Sequence, residues 1–286
     1  MSRRLGFLSR SIAAAAVAML GGLSFMPALA AGLPRIASMN VCTDRLLLTL
    51  ADPGQILGLS RYSREKFQSW AADDARRYRI LSGGAEDILV LHPDVVVASL
   101  FDKRSTRELL KQQGLHLAEF AVPRSLDEAK AQIRRMGDIT GHPDRAAAEI
   151  ARLDAAIVRA RRAVADKRYT VLPLSRRGWV SGSDSLVSSL LAKTGLFNAA
   201  GDLGVSFGGY ASLEAIVSLK PDFIVVSDAG DYAADDGSAF LLHPALERFY
   251  PPAKRIVIPE QLTVCGGVML ADALDVLVKE LKRVER

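Results

Sequence analysis

The sequence predicts an α/β protein of two Rossmann-like lobes joined by a single long α-helix, with a ligand cleft between the lobes. Two features carry this reading. The first is an internal duplication. Glu86-Asp-Ile-Leu-Val-Leu-His-Pro-Asp-Val-Val-Val-Ala-Ser99 and Glu214-Ala-Ile-Val-Ser-Leu-Lys-Pro-Asp-Phe-Ile-Val-Val-Ser227 agree at Glu, Ile, Leu, Pro, Asp, one Val and the closing Ser. Each window reads as a short helix, a Pro-Asp turn and a continuous apolar strand. Such a strand is buried on both faces, as in a parallel sheet covered by helices, and two copies point to two similar lobes. The second feature is the segment between the copies, 125–167, which is rich in Ala, Arg, Glu and Asp and almost free of strand signals.

The elements follow in order. Arg35–Met39 opens the first lobe as a strand, and Ile56–Leu59 and His116–Phe120 continue it. Tyr169–Leu172, Phe223–Val226 and Arg255–Ile258 are the corresponding strands of the second lobe. Amphipathic helical patterns, such as Asp44–Ala51 and Ser185–Thr194, alternate with them. Ser125 with Glu128 reads as a capping box. Gly141-His-Pro143 ends that helix and starts another, which runs to Ala165. The second helix, roughly 34 Å long at 1.5 Å per residue, places Ile150, Leu153, Ile157, Ala160 and Val164 on one face. A flexible linker would be rich in Gly and Ser, so the lobes are expected to be joined stiffly. The boundaries read as a leader over 1–31, a first lobe over 32–122, a helical linker over 123–168 and a second lobe over 169–286.

The N-terminus reads as an export signal. Arg3, Arg4 and Arg10 precede an apolar stretch from Ile12 to Met26, and Pro27-Ala-Leu-Ala30 supplies a cleavage site near Ala30-Ala31. The leader holds three of the 37 basic residues and no acid, so the mature chain carries 34 against 32, a net +2. This near balance gives no footprint for nucleic acid. The expected location is the periplasm, and the expected state is a monomer. There are two cysteines, Cys42 and Cys265, so one disulfide is possible in an oxidising compartment. Both fall in loops expected to line the cleft, where a bond would bridge the lobes.

Taken together, the opening Arg35-Ile-Ala-Ser-Met-Asn-Val-Cys-Thr-Asp44, the two Glu-x-Ile-x-x-Leu-x-Pro-Asp copies and Gly208-Gly-Tyr-Ala-Ser-Leu-Glu214 resemble the helical-backbone (class III) solute-binding proteins of ABC importers for ferric siderophores, haem or cobalamin. The resemblance spans essentially the whole mature chain. It implies a permease and its cytoplasmic ATPase as partners, no permanent cofactor, and a metal chelate as the small-molecule ligand. It also implies one permease-docking glutamate per lobe, at Glu86 and Glu214.

Ligands of open parallel α/β sheets sit beyond the carboxyl ends of the strands. The loops there offer Asn40, Tyr62, Trp70, Arg176, Arg177, Trp179, Tyr210 and Tyr232 as cleft candidates. The aromatics would form apolar walls, and the arginines would grip carboxylate or phosphate. Trp179 is the first choice. Haem would call for an axial tyrosine, with Tyr62, Tyr210 or Tyr232 as candidates. Bare-metal capture is disfavoured because the four histidines are scattered. His92 precedes its strand and should face away from the cleft, and His243 sits in a loop without an evident partner. The sequence shows no H-E-x-x-H or Walker loop, so an enzyme is not expected. A ferric siderophore or a corrinoid is the leading ligand reading, with haem, or a non-transport periplasmic enzyme or sensor, as the alternatives.

Overall fold

A computed structural model describes residues 32–227 and 239–285. The leader and Tyr232 lie outside the described residues. From Leu33 onward the chain forms one compact unit built on two parallel sheets.

The first sheet has the order β3-β2-β1-β4-β5, with β1 at Ile36–Ser38, β2 at Ile56–Ser60, β3 at Ile80–Leu81, β4 at Val95–Ser99 and β5 at Leu117–Phe120. All of its pairings are parallel. Alternation along the strands divides the core into two layers. Ile36, Val95 and Val97 face one apolar cluster, and Ala37, Val96 and Ala98 face the other. This is the arrangement expected of strands with no polar face. The strand β3 is too short to leave a periodic signal and was not expected.

The second sheet has the order β11-β10-β6-β8, with β6 at Thr170–Pro173, β8 at Phe197–Asn198, β10 at Phe223–Val226 and β11 at Arg255–Val257. It too is parallel and two-layered. Val171, Phe223 and Val225 pack on one side, and Leu172, Ile224 and Val226 on the other. A two-stranded antiparallel ribbon, β7 (Trp179–Ser181) with β9 (Gly208–Tyr210), stands beside it. The sequence reading did not include this ribbon, because its glycines hide the alternation of a strand.

The helices α1 (Val41–Leu50), α2 (Ala85–Leu89) and α3 (Arg104–Gln112) belong to the first sheet. Those of the second are α6 (Leu186–Thr194), α7 (Leu213–Leu219), α8 (Pro244–Phe249) and α9 (Leu270–Val284). Between the two sets run α4 (Leu126–Thr140) and α5 (Pro143–Val164). Ser125 Oγ accepts from Glu128 N–H at the start of α4, but Glu128 Oε2 accepts from Arg124 N–H rather than from Ser125. The reciprocal half of the box is thus displaced by one residue. Gly141 closes α4 in the left-handed region at φ 76°, and Pro143 opens α5.

The long helix α5 serves both lobes. Ala146 and Ile150, near its start, pack on the first-lobe core, whereas Leu153, Ala156, Ala160 and Val164 are fully buried in the second-lobe core. The C-terminal helix α9 lies along it, tied by Arg159 to Asp275 and Arg152 to Asp272. Truncating a buried leucine leaves a cavity costing about 2–5 kcal/mol. Leu153→Ala should therefore lower the urea midpoint by that much stability without changing the slope of the transition, which equilibrium denaturation would measure.

Candidate functional site: a crosslinked apolar cleft

The carboxyl ends of β1 and β4, the β5–α4 connection, β7, the start of α6 and the β11–α9 loop surround a cleft of about 790 Å³. Its floor is a covalent link: Cys42, on the first turn of α1, is bonded to Cys265 in the β11–α9 loop. Beside this bond, Arg45 Nη1 donates to the carbonyl of Gln261 at 2.6 Å. In the same loop, Val268 is buried in the first-lobe core. The linker also touches this loop. A Cβ on Gly266 would fall 2.2 Å from Pro123 Cγ, so only glycine permits this approach. The bond spans 223 residues of sequence. A crosslink closing a loop of that length removes unfolded-state entropy on the order of 5 kcal/mol.

The walls are apolar. Leu100, Phe101, Val122, Trp179, Phe207 and Val264 all line the cleft, each between 40% and 80% exposed. Trp179 is held edge-on by Tyr210, with ring centroids 5.1 Å apart. A Cβ on Gly208 would lie 2.4 Å from the Trp179 ring, so that glycine gives the indole its seat. Polar groups are few. Arg124 lies over the Phe207 ring at 4.4 Å and pairs with Asp184. Asn40 caps α1, its Oδ1 accepting from Cys42 N–H while its Nδ2 donates to Asp102. One amide hydrogen and one lone pair of Asn40 are left for a ligand. Burial pushes the Asp102 carboxyl up, against the lowering effect of hydrogen bonds from Ser99 N–H and Asn40.

The structure sorts the sequence-based candidates. Asn40 and Trp179 line the cleft, and Tyr210 buttresses Trp179 from behind. Tyr62 lines a smaller adjoining cavity of about 300 Å³ that shares Phe101 with the cleft. Trp70 does not reach the cleft. It lines a separate cavity of about 240 Å³ with Gln261, because the chain after β2 folds back in short turns instead of projecting. Arg176 and Arg177 also lie off the cleft wall. They form the tight turn before β7, with Arg177 at φ 57°, and β7 carries Trp179 and Ser181 inward in their place. His243 does have a partner, its Nδ1 accepting from Ala245 N–H at the start of α8. Phe207 and Arg124 were missed. Arg124 stands next to the helix cap Ser125, where a basic residue reads as ordinary surface. No cluster of three or more His, Cys, Asp or Glu side chains suited to a metal ion occurs among the described residues.

With the cleft described, comparison with known proteins places the chain. The family model described as "Periplasmic binding protein" matches residues 36–255. The chain belongs to the periplasmic binding protein family. A curated relative named "Cobalamin-binding protein" from Halobacterium salinarum is 24% identical over 225 residues, covering 75% of this chain and 59% of the relative. The chain thus spans less than two thirds of that relative's length. Among solved structures, the periplasmic haem-binding protein RhuT from Roseiflexus sp. RS-1, in apo form, superposes with a TM-score of 0.71 at 24% identity. That match covers 89% of this chain and all of the other. A periplasmic haem-binding protein from Pseudomonas aeruginosa gives 0.69 at 21% identity, covering 86% and 92%. These likenesses establish the two-lobed fold. The family and these neighbours are solute-binding proteins, not enzymes. The family is periplasmic, and no helix among the described residues is long and apolar enough to cross a membrane.

The binding protein also carries a buried acid behind the cleft floor. Asp44, on α1, accepts from Ser60 N–H at 3.0 Å and from Ser60 Oγ at 2.5 Å. Burial pushes its carboxyl up to about 7, only partly offset by hydrogen bonds from Ser60 and Ser38, while Asp102 pushes the same way. Between the unfolded value near 3.8 and the folded value near 7, the folded chain holds a proton the unfolded chain has lost. Stability therefore falls as pH rises through that window and levels off above it. Asp44→Asn keeps the acceptor for Ser60 N–H and removes the charge. The variant should match the parent near pH 4 and exceed it near pH 8 by at most roughly 4 kcal/mol, in denaturation series at the two pH values.

Proposed function

We propose that this chain is the soluble capture component of an ABC importer, exported behind a signal cleaved near Ala30-Ala31, and that it binds a metal chelate whose metal brings its own axial ligands. A corrinoid is the first choice and a ferric siderophore the second. One observation carries the reading: six large apolar side chains, three from each lobe, stand exposed around an interlobe cleft. Exposed apolar area of this extent marks a binding surface, and a cleft near 790 Å³ suits a ligand of macrocycle size.

The choice among chelates rests on donors. Haem iron takes an axial side chain from the protein. The described cleft lining contains no His, Tyr or Met, and its two cysteines are bonded to each other. Tyr62 in the adjoining cavity and Tyr232, outside the described residues, keep haem as the alternative reading. The name of the Halobacterium relative supports the corrinoid. Arg124 and Asn40 supply the polar contacts that would orient carboxylate or amide arms.

Calorimetry of the mature protein with cyanocobalamin, a ferric siderophore and haemin tests the assignment. Binding of cyanocobalamin, weakened ten-fold or more by Trp179→Ala, is the expected result. A tyrosinate-type Soret band with haemin and no corrinoid binding would replace the ligand assignment.

Docking to the permease is assigned to Glu86 and Glu214. Each is the second residue of its helix, α2 and α7, each is exposed, and each sits at the carboxyl edge of its sheet. The Glu214 carboxyl is lowered by hydrogen bonds from its own N–H and from Ser212. Rim charges of this kind act on encounter and register. The double variant Glu86→Lys/Glu214→Lys should lose uptake in a transport assay while keeping its ligand affinity. Loss of affinity would remove the docking role.

A further inference from the structure

Beside the apolar cleft, the first lobe keeps a smaller cavity of opposite character. It measures about 300 Å³ and is lined from the carboxyl ends of β1, β2, β3 and β4, the edge on which open parallel sheets hold ligands. At about 30 Å³ per molecule it has room for on the order of ten waters, too little for a second macrocycle and enough for a side arm. The two spaces are continuous. Phe101, 80% exposed, lines both, and Asn40 of the cleft donates to Asp102 of the cavity.

Its charges are the telling feature. Arg61 and Lys103 line the cavity against one acid, Asp102, and both Asp102 oxygens are already taken, one by Asn40 Nδ2 and the other by Ser99 N–H. The Arg61 guanidinium lies over the Tyr62 ring, 5.0 Å from its centroid. Beyond that contact, neither cationic side chain makes a hydrogen bond or an ion pair among the described residues. The fold gains nothing from Lys103 in this place. It is the N-cap residue of α3, makes no capping bond, and sets a positive charge at the positive end of the helix dipole. Resting on the corrinoid reading above, we propose that this cavity is the subsite for the ligand's anionic arm, and that Arg61 and Lys103 hold the phosphodiester of a complete corrinoid's nucleotide arm. The ring lies on the apolar walls of the cleft and the arm passes Phe101 into the cavity. There Ser82 Oγ, which accepts from Gly84 N–H, keeps its own proton to donate to a phosphate oxygen. A guanidinium and an ammonium are the donors that suit phosphate. The protein thereby separates complete corrinoids from the same ring without the arm.

Calorimetry of the mature protein with cyanocobalamin and with cyano-aqua-cobinamide, the same ring lacking the phosphodiester and its base, tests the subsite. Cyanocobalamin should bind roughly ten-fold or more tightly than the cobinamide. Because the two cations are exposed, added sodium chloride should narrow that gap. The double variant Arg61→Ala/Lys103→Ala, at two exposed positions, should remove most of the gap by weakening cyanocobalamin, whereas Trp179→Ala should weaken both ligands alike. Equal affinity for the two corrinoids, or a preference for cyanocobalamin that survives both salt and the double variant, would overturn the subsite and leave the corrinoid reading standing. Binding of neither corrinoid would overturn both.

Discussion

The junction between α1 and the loop before α9 is the constraint on which the rest of the structure depends. Both sheets are open and parallel, so each presents its binding edge only at the carboxyl ends of its strands. Two such edges make a site only if they are held face to face. Here the facing is set locally: Cys42–Cys265 joins the lobes covalently at the cleft floor, Arg45 adds a hydrogen bond to Gln261, and Val268 is buried in the other lobe's core. The long helix α5 supports the same geometry from behind by contributing to both cores. A hinge would need a segment with few buried contacts, and this junction is the opposite.

That rigidity allows the cleft walls to be as apolar as they are. Leaving Phe101, Phe207 and Trp179 open to water is unfavourable by roughly 25 cal/mol per Å² of apolar surface, and floppy lobes would collapse to cover them. A crosslinked floor keeps them apart and ready, so little ordering remains to be done on binding. The Arg124–Asp184 pair is half exposed on both sides, where an ion pair adds little stability. Its role is positional, as it lays the guanidinium over Phe207 and keeps a donor at an otherwise greasy wall.

How much of this was legible in the sequence differed by the length scale of the signal. The buried strands announced themselves as apolar runs, and the duplicated Pro-Asp unit located equivalent helix–strand units in both lobes. The helix α5 was readable because Pro143 and the apolar stripe are local. The ribbon β7–β9 was not, since Gly208 seats the Trp179 ring and two adjacent glycines carry no strand propensity. At the site, Asn40 and Trp179 line the cleft from the connections that follow β1 and β6, where open parallel sheets present their loops. Trp70, Arg176 and Arg177 lie off the cleft lining, because composition shows which side chains could serve a cleft, but not which way a tight turn points them. Arg124 and Phe207 escaped for the converse reason, since their neighbours in sequence suggest a helix cap and a glycine loop, and only the packing of the lobes brings them together.

The duplication has a further consequence for how capture could be coupled to delivery. In both copies the duplicated unit starts a helix at the carboxyl edge of the sheet and then feeds the next strand, so its glutamate stands on that edge. Glu86 and Glu214 are therefore rim residues of the two lobes by construction, whatever the cleft contains. With the floor crosslinked and α5 buried in both cores, the separation of these rims can change only by a tilt about the junction, not by wide opening. A partner that grips both glutamates would thus act on the cleft mouth through a short, stiff lever. On the importer reading, release would come from prising the rim against a fixed floor, and the apolar walls near that rim would be the first contacts to loosen.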